Sequence, residues 1–342
     1  MMRLPLFEFR APRTLEEAAR ILDGEGPRAM ALAGGTDLLP NMKRRQQVPK
    51  TLVSLRHIEE LNHVRLSASG SQIGACVTLA EIAADSRFRN GMTALAQAAS
   101  FVATPQIRNM ATLGGNLCLD TRCNYYDQNY EWRKAINFCL KKDGDTCWVA
   151  PGSPKCMAVS STDTAPALMA LGARVRLVSR SGEREVALAD LYNNDGLDYL
   201  KRKPNEILAE VLLDSTDGWK STYWKLRRRG SFDFPVLSVA AAVRIASSGF
   251  VEDARIVIGS TASRPLVAAG AAKCLVGHSL SADAIAEAAT LAARIAKPLD
   301  NTDFDMSWRK KVTAEFATYA LRELHGDDMR RERASFTHID LP

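Results

Sequence analysis

Short runs of alternating hydrophobic and polar residues lie in the first half of the chain and predict β-hairpins. One pair of runs, residues 64–68 and 72–75, is separated by a Ser-Gly-Ser turn. A second pair, residues 174–179 and 183–188, is separated by Arg-Ser-Gly. Alternation with a period of two is typical of half-buried strands, and short turns containing glycine join such strands into antiparallel pairs. The pattern therefore predicts two hairpins.

Capping residues mark the starts of helices between these strands. Thr14 and Thr78 are each followed three positions later by glutamate, where a helical pattern begins. In such a capping box the hydroxyl and the carboxylate satisfy free backbone N–H groups at the helix start. Asp163 precedes a third predicted helix, which has Pro166 in its first turn and Gly172 after its end. The first half is therefore predicted to mix helices and strands.

The second half has a different order of elements, because its predicted strands come before its predicted helices. Blocks of strands followed by blocks of helices are typical of an α+β domain, so we place a domain boundary near residues 180–190. The strands are predicted at residues 207–213, 221–226, 237–245 and 254–258, and the helices at residues 281–297 and 306–324.

Composition narrows the class of protein. The 342 residues are 46% hydrophobic and 25% charged, which excludes disordered and collagen-like chains. The longest apolar runs are shorter than the roughly 18 residues of a membrane helix, and the N-terminus lacks a secretory signal pattern. The net charge of +6 is too diffuse to indicate nucleic acid binding. We therefore expect a soluble, cytoplasmic protein that binds neither membranes nor nucleic acid.

The cysteines are concentrated in one part of the chain, residues 118–158, which we call the cysteine-rich segment. It holds five of the seven cysteines, and the last four are separated by 15, 7 and 8 residues without a histidine among them. A reducing compartment disfavours disulfides, which leaves a metal site or coincidental burial of thiols. Zinc ligands usually come in close pairs, whereas wide spacings suit a [4Fe–4S] cluster. The cluster is therefore favoured over zinc, and both over disulfides.

The same segment is rich in aromatic residues and lacks a clear strand pattern. Six of the 34 residues from 123 to 156 are aromatic, and only a short helical pattern occurs, near residues 131–140. A loop of this length is normally functional, or is held by something other than a hydrophobic core. Aromatic side chains would also shield a cluster from water.

Two Gly-Gly dipeptides are candidates for phosphate binding. The first glycine loop, residues 32–38, follows a short apolar strand and contains Gly34 and Gly35; the second glycine loop, residues 111–116, contains Gly114 and Gly115. Without a Cβ the backbone can approach a ligand closely, and successive N–H groups then point at phosphate oxygens. Either pair alone is more simply a turn, but two such loops fit the two halves of a pyrophosphate. Neither has the GxGxxG pattern, so a Rossmann fold is not indicated.

Three motifs in this order resemble the flavin-binding subunits of the molybdenum hydroxylases, the family of the xanthine dehydrogenase and carbon monoxide dehydrogenase medium subunits. They are AGGTDLLP at residues 33–40, TPQIRNMATLGGN at 104–116 and APALMALGARVRL directly after Asp163-Thr164, and the similarity continues through residues 224–240. The resemblance implies an α+β fold with a two-part FAD-binding domain (1–58 and 59–182), a cysteine-rich insertion (118–158) and a C-terminal α+β domain (183–342).

The resemblance also implies an FAD site between the N-terminal subdomains. Asp163 is expected on the adenosine or flavin side of FAD, and Lys225 near the isoalloxazine ring. The remaining implied FAD-binding residues lie in and before the two glycine loops: Leu32, Ala33, Gly34, Gly35, Thr36, Asp37, Leu38, Thr104, Ala111, Thr112, Gly114, Gly115 and Asn116.

The sequence departs from the family pattern where Asn116 and Asp163 stand 47 positions apart. The insertion resembles the cluster-bearing loop of the 4-hydroxybenzoyl-CoA reductase branch, although a related insertion occurs in an aldehyde oxidoreductase. This resemblance implies that the cluster ligands are Cys123, Cys139, Cys147 and Cys156. Cys118 directly follows the second glycine loop and is expected to be a spare thiol.

By resemblance, the chain relays electrons and carries no catalytic residue. Ferredoxin is expected to reduce the [4Fe–4S] cluster, and electrons pass through FAD to [2Fe–2S] clusters on a small subunit and molybdenum on a large one. There 4-hydroxybenzoyl-CoA is reductively dehydroxylated to benzoyl-CoA, in a dimer of heterotrimers. One alternative is the same fold working oxidatively, as the FAD subunit of an aldehyde oxidoreductase or purine hydroxylase. Another is a cobalamin- or nucleotide-binding regulatory module with a structural zinc loop.

Overall fold

The N-terminal part of the computed structural model, which describes residues 3–337, is built on a small parallel sheet. Its strands are β1 (Glu8–Arg10), β2 (Ala29–Leu32) and β3 (Thr51–Ser54), in the order β1-β3-β2. Helix α1 (Leu15–Glu25) begins at Thr14, whose hydroxyl accepts a hydrogen bond from the Glu17 N–H, and it packs its apolar face on this sheet. Strand β2 is an edge strand, so the first glycine loop leaves the sheet with one side open.

A five-stranded antiparallel sheet follows, with the order β4-β5-β8-β6-β7. The hairpins β4 (Val64–Ser67) with β5 (Gly70–Gly74), and β6 (Arg174–Ser179) with β7 (Gly182–Ala187), confirm the two predicted from alternation. The central strand β8 (Ile207–Asp214) pairs with both β5 and β6. The central strand β8 thus lies after residue 182, the position at which the second subdomain was expected to end.

Short helices connect β5 to β6 and cover this sheet. Thr78 and Glu81 form both hydrogen bonds of the predicted capping box. The helix expected after Asp163 ends before Gly172, which has a φ of 78°. The helices of this region are α2 (Leu38–Lys43), which precedes β3, and α3 (Leu79–Ala84), α4 (Ser86–Gly91), α5 (Thr93–Phe101), α6 (Pro105–Arg108), α7 (Leu113–Leu117), α8 (Tyr130–Ala135) and α9 (Thr164–Ala170).

The C-terminal part is a four-stranded antiparallel sheet with helices, in the order β12-β11-β10-β9. Its elements are β9 (Trp219–Leu226), β10 (Leu237–Ile245), β11 (Val251–Gly259), β12 (Leu266–Val267), α10 (Ala269–Leu275), α11 (Ala282–Ile295), α12 (Met306–His325) and α13 (Arg330–Thr337). Together with the first two sheets, these elements confirm the α+β fold of a two-part domain followed by a C-terminal domain.

Strand β10 explains how the two large parts are joined. Ala240 and Ala242 belong to the core formed with α5 and α9, whereas Val239, Ala241 and Val243 belong to the core formed with α11 and α12. A strand buried on both faces has an uninterrupted apolar sequence rather than an alternating one. The C-terminal sheet therefore packs directly on α5 and α9, and α9 in turn contacts α7, which contains the glycines of the second glycine loop. No helix within residues 3–337 has the length and hydropathy needed to cross a bilayer.

Candidate functional site

The first glycine loop presents free backbone donors at the open edge of β2. Gly35 has a φ of 72°, a conformation that other residues rarely adopt, and this bends the chain from β2 into α2. Within the described chain, no backbone hydrogen bond uses the N–H groups of residues 33–37 as donors. The loop is half-buried except at Thr36, which is exposed. Consecutive unpaired N–H groups form a concave anion-binding surface.

The two glycine loops are in direct contact. A Cβ atom added to Gly34 would lie 1.7 Å from the Met110 carbonyl oxygen and 3.2 Å from the Cα of Ala111. Only glycine fits there, because its missing side chain lets the two backbones touch. The prediction that both loops belong to one site is therefore supported by their contact.

The second glycine loop is mostly buried, and its own backbone groups are largely paired. The N–H of Gly114 donates to the carbonyl of Ala75 at 2.8 Å, and the N–H of Gly115 donates to the Thr112 hydroxyl at 3.1 Å. Asn116 accepts hydrogen bonds through Oδ1 from the hydroxyl of Thr164 at 2.7 Å, which ties this loop to the start of α9. The second loop thus acts as a rigid support, while the first loop offers the free donors.

Some of the other predicted site residues lie at the ends of helices and strands, and two of them form a buried ion pair. Leu32 ends β2, Leu38 begins α2, and Thr104 caps α6 through a hydrogen bond from the Ile107 N–H at 3.4 Å. Thr36 is exposed at the turn of the first loop. Whether these residues contact FAD stays a prediction.

Asp163 and Lys225 form a buried ion pair. Their charged atoms lie 3.0 Å apart, and both side chains are at most 3% exposed. Tyr223 donates its hydroxyl hydrogen to Asp163 at 2.7 Å, and Lys225 also donates to the carbonyl of Phe101 at 2.9 Å. Burial raises the pKa of Asp163 and lowers the pKa of Lys225, and their mutual attraction opposes both shifts. The pair joins α9 to β9 next to the second glycine loop.

Tyr223 was not identified from the sequence. It lies two residues before Lys225 on β9, so both side chains point to the same face of the strand. Tyr223 could have been predicted from its spacing, because its hydroxyl group lies two positions from Lys225 in the same strand.

The four cysteines proposed as ligands line one cavity, which we call the cysteine cavity. Cys123, Cys139, Cys147 and Cys156 are all buried and line the same small cavity, which is partly open to solvent. Tyr125, Tyr126 and Trp148 belong to the same lining, as the aromatic content suggested; Cys118 does not. Residues 33 positions apart in the sequence thus converge on one point.

The thiols of the cavity stand in apolar surroundings. Burial raises the pKa of Cys123 to about 12 and that of Cys156 to about 11. Neighbouring cysteines add to both shifts, because two thiolates repel each other. Cys123 and Cys156, whose pKa values are raised, become thiolates near neutral pH only when a cation or cluster compensates their charge.

The structure itself does not display a metal site. Among residues 3–337, no group of three or more His, Cys, Asp or Glu side chains is arranged to hold a single metal ion. All seven cysteines belong to this part of the chain, and each is a free thiol. The [4Fe–4S] cluster predicted from the sequence is therefore not shown, and the convergence of the four cysteines is the observation that bears on it.

A buried lysine also lines the cysteine cavity, and sequence reasoning missed it. The ammonium of Lys141 lies 2.8 Å from a carboxylate oxygen of Asp120 and donates to the hydroxyl of Thr121 at 2.7 Å and the carbonyl of Gly196 at 2.6 Å. Tyr126 donates its hydroxyl hydrogen to Asp120 at 2.9 Å. Lys141 lies in a segment without periodicity, so no sequence pattern indicated this network.

Arg122 connects the cysteine cavity to the first glycine loop. It precedes Cys123 and forms an ion pair with Asp37, the residue before α2. Its guanidinium also donates to Asp127 at 2.9 Å and to the side-chain oxygen of Asn41 at 3.2 Å. The cysteine-rich segment is thus fixed to the element that follows the free N–H groups.

Comparisons with known proteins agree with this architecture. Residues 5–213 match the sequence family described as the FAD binding domain in molybdopterin dehydrogenase, and residues 221–324 match the CO dehydrogenase flavoprotein C-terminal domain. Among solved structures, carbon monoxide dehydrogenase from Hydrogenophaga pseudoflava aligns with a TM-score of 0.76 at 25% identity, over 94% of this chain and 98% of the other.

Two curated relatives have higher sequence identity. The aldehyde oxidoreductase FAD-binding subunit of Escherichia coli is 33% identical over 249 residues, which cover 70% of this chain and 76% of the relative. The nicotinate dehydrogenase FAD-subunit of Eubacterium barkeri is 31% identical over 282 residues, which cover 80% of this chain and 81% of the relative.

The fold and the two apposed glycine loops thus define an FAD-binding oxidoreductase subunit. More particularly, the chain belongs to the FAD-binding medium subunits of the molybdenum hydroxylase and carbon monoxide dehydrogenase family.

Proposed function

We propose that this chain is the electron-transferring subunit of a molybdenum enzyme complex and carries both FAD and an iron–sulfur cluster. The observation that carries the proposal is the cysteine cavity. Its four thiols come from separate points of an insertion that is fixed to the FAD-binding loop by Arg122 and Asp37. If the four cysteines bind a redox cofactor, this attachment places that cofactor near the flavin. A loop with only a structural role would not need four cysteines around one cavity.

The residues present fit FAD. The free N–H groups of residues 33–37 would bind phosphate oxygens, and the second glycine loop would hold the first in place through Gly34 and Met110. Asp163 and Lys225 would lie beyond the phosphates, where the C-terminal sheet covers the domain. Bound FAD supplies a group that exchanges one or two electrons.

The cysteine cavity fits a cluster better than a single ion. A tetrahedral zinc site needs thiolates about 3.8 Å apart, because each Zn–S bond is about 2.3 Å long, and the described residues offer no such group. A larger cluster takes one thiolate at each corner, and four cysteines line the one cavity here. A bound [4Fe–4S] cluster supplies exchange of single electrons. Cysteine thiols must be reduced to bind a cluster, and the cytoplasm is a reducing compartment. The protein is therefore expected in the cytoplasm.

The relatives favour the oxidative direction over the reductive one. The names of the relatives refer to oxidation of an aldehyde, of nicotinate and of carbon monoxide. The first candidate function is therefore the FAD subunit of an oxidative molybdenum hydroxylase, the alternative weighed from the sequence. Reductive dehydroxylation of 4-hydroxybenzoyl-CoA with ferredoxin as donor is the second candidate. The cysteine cavity favours it, because a low-potential one-electron donor needs a one-electron acceptor site.

The proposal includes partner subunits. Residues 3–337 offer no candidate for transforming a substrate, so a large molybdenum subunit and a small [2Fe–2S] subunit would complete the enzyme, in a dimer of heterotrimers. The names of the relatives, as FAD subunits and a medium chain, support the presence of partner subunits.

The first test is the content of FAD, iron and acid-labile sulfide in the full chain purified anaerobically. One FAD with about four irons and four sulfides is expected. FAD without iron and sulfide would overturn the cluster and leave the FAD subunit standing.

The second test separates the two directions. The complex with its partner subunits is assayed for aldehyde oxidation with an artificial acceptor, and for loss of the hydroxyl group from 4-hydroxybenzoyl-CoA with reduced ferredoxin. Turnover in the first assay alone supports the oxidative candidate, and turnover in the second supports the reductive one.

A further inference from the structure

The Lys141–Asp120 ion pair lies beside the cysteine cavity, and its two members are placed differently. Lys141 lines the cavity, whereas Asp120 does not. Both are buried, with side chains that are 5% and 4% exposed. Asp120 is held in place by the hydroxyl of Tyr126 at 2.9 Å and the side-chain amide of Gln47 at 3.2 Å. The pair is neutral as a whole, but its cationic residue is the one that lines the cavity.

Burial of the Lys141 ammonium costs solvation free energy, so its presence beside the cavity suggests that its charge has a function. An ammonium group loses strong hydration on burial, and a buried ion pair often stabilises a fold less than apolar residues of similar size. The ring of Tyr126 also faces the ammonium, with 4.9 Å between its centroid and Nζ, so the cation has polar or aromatic partners on several sides. Its place in the lining concentrates positive charge where four thiolates would meet.

We propose that Lys141 is a positioning residue for electron uptake at the cysteine cavity, where its charge raises the reduction potential of the bound cluster; this rests on the function proposed above. Four thiolates make the site negative, and uptake of one electron from an external reductant adds further negative charge while no bond of the chain changes. A fixed cation in the wall favours that reduced state. Asp120 holds the cation in place and weakens its effect.

The test is the midpoint potential of the cluster in the full chain, measured by anaerobic titration with dithionite and redox dyes and followed by electron paramagnetic resonance. Lys141→Met is expected to lower the potential, so that the ratio of reduced to oxidised cluster at a fixed solution potential falls about tenfold, which is 59 mV for a one-electron couple. Asp120→Asn is expected to raise it, because the cation then lacks its counter-charge. Lys141→Arg retains the charge and is expected to stay within about twofold of the wild type.

A neighbouring lysine provides the matched control. Lys142 pairs with Asp143 at the surface, with side chains 32% and 40% exposed, and Lys142 does not line the cavity. Lys142→Met is expected to leave the potential unchanged. Opposite shifts in the Lys141 and Asp120 variants are a signature that a merely structural pair would not give, since its two halves would fail in the same way.

The outcomes separate this inference from the proposed function. Wild-type protein without iron overturns both. Wild-type protein with a cluster whose potential moves in the same direction, or not at all, in the two variants overturns the role of Lys141 and leaves the cluster standing. If Lys141→Met loses its iron, Asp120→Asn decides alone, and an unchanged or lowered potential there overturns the inference.

Discussion

Asp37 and Arg122 form an ion pair that joins the first glycine loop to the residue before Cys123. Asp37 lies at the start of α2, and its side chain also accepts a hydrogen bond from Asn41 at 3.2 Å. The guanidinium of Arg122 lies 4.7 Å from the ring centroid of Phe234, in the C-terminal part. One buried arginine therefore contacts the FAD-binding domain, the cysteine-rich segment and the C-terminal part, so a change at this point should affect both proposed cofactor sites.

Replacement of Arg122 is expected to weaken both cofactor sites together. Arg122→Gln leaves Asp37 without its cation and leaves Asp127 only the more distant Arg44, so FAD and iron content should both fall, with an FAD Kd at least about fivefold higher. Arg87→Gln is the control, because Arg87 forms an exposed pair with Asp85. FAD titration by fluorescence and iron analysis are the measurements. Loss of one cofactor with the other fully retained would contradict the link.

Gly34→Ala is expected to separate the two glycine loops. The added methyl group meets the Met110 carbonyl, so the loops must move apart and the FAD Kd should rise at least tenfold, about 1.4 kcal/mol. Gly24→Ala is the matched control, because an added Cβ there has no atom within 4 Å among the described residues. Fluorescence titration with FAD measures both variants, and equal affinities would show that the loop contact does not matter for binding.

Single serine replacements are expected to divide the cysteines into two groups. Changing Cys123, Cys139, Cys147 or Cys156 removes a thiol from the cavity and should reduce the iron content by more than half. Cys118→Ser should leave iron and sulfide unchanged, because Cys118 lies outside the lining. Iron loss in Cys118→Ser with iron retained in one of the other four would reassign the ligand set.

The Asp163–Lys225 pair is expected to show strong coupling in stability. Lys225→Met leaves a buried carboxylate without its cation and should lower the free energy of unfolding by about 3–5 kcal/mol. The double variant Lys225→Met with Asp163→Asn should recover a large part of this loss. Urea unfolding followed by circular dichroism measures the cycle, and simple additivity of the two single changes would mean that the two groups do not interact.

Acid should weaken the five-stranded sheet through Glu206. Two hydrogen bonds from Arg184, at 2.7 and 2.9 Å, lower the pKa of Glu206 below its usual 4.5. A carboxylate whose pKa is lower in the folded chain stabilises the fold above its unfolded pKa, and this stabilisation disappears as the pH falls through the folded pKa. Glu206→Gln should cost about 1 kcal/mol or less near neutral pH and nothing below the folded pKa. Urea midpoints against pH test this, and a difference that persists in acid would contradict it.

Local sequence signals predicted the elements whose partners are close in the chain. The hairpins β4–β5 and β6–β7 follow from alternation, because each strand pairs with the next one. Strand β8 was also predicted, and it pairs with β5 and β6 across the proposed boundary. Its partner β5 lies far earlier in the sequence, and a strand pattern carries no information about a distant partner.

The parts of the candidate site that could be predicted from the sequence are those in which the residue type itself indicates the chemistry. Glycine pairs and clustered cysteines are rare enough to stand out, and the structure brings each set together. Lys141 and Asp120 could not be found in this way, because charged residues in a loop are usually solvated and only the folded chain shows that these two are buried. The same holds for Met110, whose relevant group is a backbone carbonyl.

The cysteine-rich segment enters and leaves the fold at a single point. Arg122 and Val159 exchange both backbone hydrogen bonds, at 2.8 and 2.7 Å, so the chain returns beside the position from which it departed. The surrounding scaffold therefore has the same two neighbouring ends whether the excursion between them is long or short. The bridge marks the positions between which family members can differ in length without moving the flanking chain.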